Sequence, residues 1–154
     1  MAARFRVLIV GKPTVSWSAE AVGIYTKRLS RLGGIEERYV KLETFRGDVE
    51  AVRTAEGRRL LAQVKGRDRL IALDERGEDL DTNGFCALVE AGTRSGSLVF
   101  AIGGAYGLSA EVREQSWRVV KLSSMVLNHE LARVVLYEQV YRAMTLQRNI
   151  PYHH

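Results

Sequence analysis

Two short segments of the chain combine residue types that suit the binding of a small ligand. The first is Gly103-Gly104-Ala105-Tyr106-Gly107, where a ligand could approach the backbone closely because glycine carries no Cβ. Its spacing is not that of a dinucleotide fingerprint and it has no P-loop lysine, so a tight strand-to-helix turn is the alternative. The second is residues 123–128, whose apolar side chains could wrap an adenine or form a plain loop against the core. Neither segment identifies a ligand by itself.

The sequence offers little for other kinds of active site. It shows no carboxylate pair, no Ser/His/Asp set and no cluster of metal ligands, and its single cysteine, Cys86, excludes an intramolecular disulfide framework. We therefore expect a reaction that needs no metal ion. The apolar run at residues 7–10 is too short for the core of a signal peptide, and no stretch reaches membrane-spanning length. These observations favour a soluble cytoplasmic protein without a membrane partner.

Short β-rich runs alternate with helical patterns along the chain. Strands are predicted at 4–10, 38–42, 69–74, 98–102 and 118–122, with turns at 33–34 and 75–77. The helices between them are predicted to start at the capping residues Ser18, Asp48, Asp81 or Thr82, and Ser109, and a long last helix covers about 130–145. The length suits one domain, 1–154.

This alternation is typical of an α/β protein with a parallel sheet, because parallel strands need helical crossovers. Open sheets of this kind bind ligands outside the carboxyl ends of their strands. Three predicted loops leave such ends: the one after Leu73, the one at Gly103-Gly104, and residues 123–128. The sheet rule thus selects the same two segments as the residue types, and it adds Leu73.

The charge of the chain is uneven. Residues 1–70 carry 15 Lys and Arg against 8 Asp and Glu, whereas residues 71–154 carry 8 against 10. A basic half favours contact with a polyanion, because phosphate contacts release counterions. A solvated basic surface without a partner is the alternative.

The predicted last helix is apolar around most of its circumference, which is too wide for a single core-facing stripe. Its apolar residues are Leu131, Val134, Val135, Leu136, Tyr137, Val140, Tyr141 and Met144. Either the helix is fully buried within the monomer, or a second copy of the chain covers one of its faces in a two-fold interface.

Three segments carry a resemblance to a known family. The sequence AIGGAYGLSAEVREQSW, then LSSMVLNHELARVVLYEQVYRAM, then the terminal NIPYHH, resembles the ribosomal RNA large-subunit methyltransferase H family of the SPOUT superfamily. The loop containing Trp17 and the LDERG turn are also similar, and the resemblance covers essentially the whole chain. Two positions depart from the family pattern: Asn128 stands where relatives often have proline, and His154 stands where several have Arg or Lys.

The resemblance implies a fold, a reaction and partners. The fold would be a SPOUT-type, Rossmann-like parallel sheet with a trefoil knot near the C-terminus, a rare exception to the rule against knotted chains. The reaction would transfer a methyl group from S-adenosyl-L-methionine to N3 of a pseudouridine in the intersubunit stem-loop of 23S rRNA, on assembled ribosomes. The enzyme would be a homodimer in which the tail of one subunit completes the active site of the other.

The family's cofactor contacts match residues already selected by the sheet rule. The predicted cofactor-binding residues are Leu73, Gly103, Gly104, Ser123, Ser124, Met125, Val126, Leu127 and Asn128. Because N3 of the target base carries a proton, the reaction also needs a general base or donors to the uracil oxygens. The predicted catalytic residues are His153, as base or orienting group, Tyr152, by stacking or hydrogen bonding, and Arg142, as a contact to phosphate or a uracil oxygen.

Each assignment has a structural alternative. The tail could be frayed, which is the default for a C-terminus, and Arg142 could simply pair with Glu138 one turn earlier. His129 is expected to satisfy backbone groups, and Arg133 is either a helix-surface charge or an RNA contact. Two other functions remain open on residue types alone: a nucleotide-binding α/β protein, and a non-enzymatic RNA-binding module that uses the basic half.

Overall fold

A computed structural model describes residues 3–154, which form a single sheet flanked by helices. The strands are β1 (Phe5–Val10), β2 (Ile35–Val40), β3 (Arg69–Asp79), β4 (Leu98–Ile102) and β5 (Arg118–Lys121). The α-helices are α1 (Ser16–Leu29), α2 (Val49–Leu61), α3 (Thr82–Gly92), α4 (Ala110–Gln115) and α5 (His129–Gln147), and a short 3-10 turn covers Ser30–Leu32. No helix in this part of the chain is long and apolar enough to cross a membrane.

The five strands run in the order β2-β1-β4-β3-β5, and each neighbouring pair is parallel. The α/β class with a parallel sheet is therefore confirmed. In the register of the sheet, Leu73 of β3 pairs with Ile102 of β4 on one side and with Val120 of β5 on the other. The carboxyl ends of three strands consequently meet at one place along the sheet edge.

The sheet is buried on both faces, as expected for parallel strands. Alternate residues of the central strands point to opposite sides: Phe100 and Ile102 of β4 belong to one core cluster, and Val99 and Ala101 to the other. Helices α1, α3 and α5 pack together over the first face, while α2 and α4 pack over the second. The sheet therefore lies between two layers of helices.

Several boundaries follow the local signals in the sequence. Strand β4 covers 98–102 as predicted, and Asp48, Asp81 and Ser109 cap α2, α3 and α4 through hydrogen bonds from backbone N–H groups to their side chains. Gly33 ends the first helical segment with φ of 110°, a left-handed conformation that glycine adopts without strain. These signals act within one turn of chain, so the sequence alone is enough to reveal them.

Other predictions were wrong. Ser18 does not cap α1, which starts at Ser16; Ser18 is fully buried, and its hydroxyl donates to the carboxylate of Glu130 on α5. Trp17, expected in a loop, also lies in α1. The strand predicted at 38–42 is Ile35–Val40, because it is placed by pairing with β1 rather than by its own apolar residues.

The predicted turn at 75–77 is part of strand β3. Strand β5 pairs with β3 both before and after this segment, at Leu73 and at Glu78, with an irregularity between the two. Leu73 and Glu78 both pair with Val120, so residues 74–77 have no partner in β5 and the register shifts across them. Gly77 fits because a Cβ there would lie 2.6 Å from the backbone of Val119 and Val120.

Candidate functional site

A cavity of about 530 Å³ opens where the ends of β3, β4 and β5 meet. This volume lies within the range of small-molecule and cofactor sites, roughly 300–1,000 Å³. The structure brings eight of the nine predicted cofactor-binding residues into its wall: Leu73, Gly103, Gly104, Ser123, Met125, Val126, Leu127 and Asn128. Ser124 is not in the wall; its hydroxyl accepts a hydrogen bond from Lys121 Nζ at 3.1 Å.

The glycine segment after β4 forms one wall of the cavity and leaves no room for a side chain at Gly103. The N–H of Gly107 donates to the carbonyl of Gly104 at 3.0 Å, and Gly107 has φ of +81°. A Cβ on Gly103 would lie 2.8 Å from the carbonyl carbon of Gly107. The segment is thus a tight turn, and its bare backbone faces the cavity. The two interpretations of this motif are therefore compatible with each other.

The loop after β5 forms the facing wall. Met125 and Val126 are 76% and 78% exposed, so their apolar side chains lie next to the cavity without cover from the core. At the end of this loop, the side chain of Asn128 accepts a hydrogen bond from the N–H of Glu130 at 2.7 Å and caps α5. Asn128 therefore has a structural task that a proline could not perform.

Charged residues that the sequence did not single out complete the wall. Asp74 is largely buried, with its carboxylate 3.8 Å from Arg76 and 3.7 Å from Arg113. Arg53, on α2, donates from Nε to the carbonyl of Tyr106 at 2.7 Å and so fixes the glycine segment from below. The cavity thus combines apolar and backbone surfaces with the Asp74 carboxylate, which has two guanidinium groups within 4 Å.

The C-terminal tail is docked on α5 and is not frayed. The Tyr152 hydroxyl donates to Glu138 at 3.0 Å, and its ring lies edge-on to Tyr141, with centroids 4.8 Å apart. Arg142 pairs with Glu138 at 2.5 Å, stacks over the Tyr152 ring at 4.8 Å and lies 2.9 Å from Nδ1 of His153. Burial, with hydrogen bonds to Tyr25 and Glu138, raises the pKa of the Tyr152 hydroxyl, which therefore remains a donor.

This tail cluster does not line the cavity of its own chain. Ala132 is the last residue of α5 in the cavity wall, and Arg142 follows ten residues later, which is about 15 Å along the helix. The structure therefore brings the predicted catalytic residues together with each other. It does not bring them to the predicted cofactor residues within one subunit.

The contacts of two further residues of α5 decide between the alternatives that the sequence left open for them. Arg133 is not a surface charge: it is buried and forms a two-pronged ion pair with Glu37, at 2.5 and 2.7 Å. His129, expected to satisfy backbone groups, is exposed over about half of its side chain and lines the cavity, with Nε2 3.8 Å from Glu130.

Comparison with known proteins defines the family. A family model described as predicted SPOUT methyltransferase matches residues 3–153. Proteins named ribosomal RNA large subunit methyltransferase H are similar over 98% of this chain and 99% of their own length: 40% identical in Trichlorobacter lovleyi and 41% identical in Geobacter sulfurreducens. The chain belongs to this SPOUT methyltransferase family.

Solved structures support the fold. A probable methyltransferase from Bordetella pertussis superposes with a TM-score of 0.58 at 19% identity, over 92% of this chain and 95% of that one. A probable methylase family protein from Haemophilus influenzae superposes with a TM-score of 0.59 at 13% identity, over 100% of this chain and 72% of that one. At these identities the likeness concerns the α/β fold alone.

For this SPOUT methyltransferase, sequence reasoning found the cavity but missed part of its wall. Asp74 directly follows Leu73, and Lys121 is the last residue of β5, so the rule that selected Leu73 could have selected them as well. Tyr106 lies within the glycine segment itself. Arg53, by contrast, comes from α2, and no local signal connects it to a segment 50 residues away.

Proposed function

We propose that this chain is an S-adenosyl-L-methionine-dependent methyltransferase that modifies N3 of a pseudouridine in the intersubunit stem-loop of 23S rRNA, on assembled ribosomes in the cytoplasm. The observation that carries the proposal is the convergence of three strand-end loops, after Leu73, at Gly103-Gly104 and at 123–128, on one cavity. Family membership supplies the reaction class, and the names of the relatives supply the ribosomal RNA substrate.

The wall of the cavity suits the proposed cofactor. Leu73, Val126 and Leu127 offer apolar surfaces for an adenine, and the exposed backbone at Gly103-Gly104 allows close approach of polar groups. Bound there, S-adenosyl-L-methionine would supply an activated methyl group on a sulfonium. The task of the chain is then to hold donor and acceptor in line, which is a problem of positioning.

The acceptor nitrogen carries a proton that must leave before methyl transfer, and the tail cluster is proposed to favour this loss. His153, whose Nδ1 accepts from Arg142, would orient the base through its Nε2–H, and the Tyr152 ring would offer a stacking surface. The remaining N–H groups of Arg142 would stabilise charge on the uracil oxygens, so that the N3 proton can leave to solvent. Arg142 is fixed for such a role, since Glu138 and the Tyr152 ring hold its guanidinium on two sides.

A homodimer would unite the two half-sites. Helix α5 is not fully buried within the monomer: Leu131 is 47% exposed, and Val134, Val135 and Tyr141 are half-buried. A two-fold interface on this face would cover them and bring the tail of one subunit to the cavity of its partner, which the distance along α5 prevents within one chain. We also propose that residues 1–154 form a single domain whose C-terminal segment is threaded as a trefoil knot, as in the SPOUT superfamily.

The proposal is tested on ribosomal RNA from a strain that lacks the gene. Mass mapping of 23S rRNA should show one methyl group missing from a single pseudouridine, and expression of this chain should restore it. Purified chain, ribosomes and labelled cofactor should reproduce the transfer in vitro. Unchanged RNA in the deletion strain would contradict the proposal, and so would tight binding of NAD or a nucleoside triphosphate with none of S-adenosyl-L-methionine.

A further inference from the structure

A buried carboxyl group lies directly behind the glycine wall of the cavity. Glu56, on α2, is 3% exposed, and one carboxylate oxygen, Oε2, accepts a hydrogen bond from the N–H of Glu43 at 3.1 Å. The other, Oε1, is the one fully buried side-chain polar atom within residues 3–154 that has no hydrogen-bond partner. An unpaired buried oxygen is costly, so its presence calls for a reason.

The free oxygen is aimed at Gly104. A Cβ built on Gly104 would lie 3.1 Å from Glu56 Oε1 and 3.2 Å from Val10 Cγ1. Gly104 does not have a left-handed φ, so alanine could adopt its backbone conformation, and the restriction is one of space. The Glu56 carboxyl group therefore occupies the space that a side chain at residue 104 would need, and the cavity lies on the other side of the Gly104 backbone.

The charged neighbours of Glu56 set its protonation. Burial raises the pKa of the Glu56 carboxyl; the Glu43 N–H and the Arg59 charge oppose this, while the Glu43 carboxylate adds to it. Arg59 is itself engaged by Glu43 at 2.7 Å, and Arg53, one turn before Glu56, is paired with Glu50 and Tyr106. Neither arginine therefore forms an ion pair with Glu56.

We propose that Glu56 is a positioning residue for cofactor binding. Its carboxylate fixes the Gly104 backbone at the cavity wall, and Oε1 accepts a hydrogen bond from an N–H of the glycine segment when this segment closes on the ligand. The inference rests on the proposed function, since it takes S-adenosyl-L-methionine as the ligand. It assigns a role to a residue that contacts the cavity only through Gly104.

The first test measures the affinity for S-adenosyl-L-methionine by calorimetry between pH 5 and pH 8. For wild type, affinity should rise with pH as the carboxylate forms, and binding should be coupled to the release of a proton. Glu56→Gln keeps an acceptor oxygen but cannot titrate, so its affinity should be flat with pH, whereas Glu56→Ala should bind about tenfold more weakly at pH 8. Glu90→Gln, at an exposed position on α3, is the matched control and should follow wild type.

The second test is a double-mutant cycle with Gly104→Ala. The added methyl group would lie 3.1 Å from Glu56 Oε1 and should displace the carboxylate slightly, which should weaken binding. Glu56→Ala in the same chain should restore part of this loss, because it vacates the space. Thermal melting checks that each variant is folded. The inference is overturned if wild type binds the cofactor while Glu56→Gln keeps the wild-type pH profile, or if the two losses simply add. If wild type does not bind the cofactor at all, the proposed function itself is wrong.

Discussion

Nη1 of Arg142 lies 2.9 Å from Nδ1 of His153, a contact that ties the end of the chain to helix α5. Since the guanidinium can only donate, Nδ1 must be the acceptor, and the proton of a neutral imidazole then sits on Nε2. Arg142 thereby selects the tautomer of His153 in which Nε2 carries the proton, so this exposed side chain would meet an RNA base as a hydrogen-bond donor. The tail is a prearranged group of side chains and not a flexible end.

Substitution of Arg142 should separate turnover from cofactor binding. We expect Arg142→Ala to lower methyl transfer to ribosomes by about 10²-fold or more, the usual range for loss of a donor that stabilises charge in the transition state. Affinity for S-adenosyl-L-methionine should stay within about twofold, because Arg142 is proposed to act on the target base and not on the cofactor. Arg148→Ala, an exposed arginine just after α5, is the control and should leave both quantities unchanged. An equal loss of cofactor affinity in Arg142→Ala would contradict the assignment.

Mixing two inactive variants should restore activity if the tail acts across a dimer. One variant carries His153→Ala and the other Gly104→Val, whose side chain would meet Glu56 and Val10. After random exchange of subunits, half of the dimers are mixed and each has one intact composite site, so turnover should recover to roughly a quarter of wild type. If the tail serves its own subunit, each mixed dimer has no intact site and turnover stays at the level of the separate variants.

Asn128 offers a test of how the cofactor loop is anchored. Its side chain accepts from the N–H of Glu130 at the start of α5, and loss of such a cap costs about 1 kcal/mol. Asn128→Ala should lower the melting temperature by a few degrees, while Asn128→Asp, which keeps the acceptor oxygen, should not. Since residue 128 also belongs to the cavity wall, cofactor affinity should fall in Asn128→Ala more than in Asn128→Asp. Equal stability of the two variants would show that the cap contributes nothing.

The parts of this molecule that the sequence predicted are those set by local chemistry. The capping side chains of Asp48, Asp81 and Ser109 accept hydrogen bonds from backbone groups two or three residues away. Strand β4 can be predicted to be buried because all its residues are apolar. The cavity was found because parallel strands place their carboxyl ends together whatever the details of the loops.

What the sequence could not reveal depends on contacts between distant segments. The type and position of Ser18 predict a helix cap, but its hydroxyl donates a hydrogen bond to Glu130, 112 residues later. The sequence is compatible with a surface charge at Arg133, but this residue forms an ion pair with Glu37 of the edge strand β2. Residues 75–77 have the composition of a turn, yet β3 continues beyond them and pairs again with β5 at Glu78. In each case a partner chosen by the tertiary fold overrides a local preference.

The ion pair between Glu37 and Arg133 should make stability depend on pH. Burial alone would raise the pKa of Glu37, but the hydrogen bonds from Arg133 and Tyr39 and the charge of Arg133 outweigh it and hold that pKa below the ordinary value of 4.5. A depressed pKa means that the stabilisation is fully present above about pH 4.5 and is lost as the pH falls through the folded-state value. We expect Glu37→Gln, which leaves Arg133 buried without its carboxylate, to lower the free energy of unfolding by about 3–5 kcal/mol at pH 7. Chemical denaturation between pH 3 and pH 7 should show the free energy of unfolding of wild type approaching that of Glu37→Gln as the pH falls, and Glu36→Gln, the control, should follow wild type. If the difference between wild type and Glu37→Gln does not change with pH, the ion pair is not what stabilises the contact between β2 and α5.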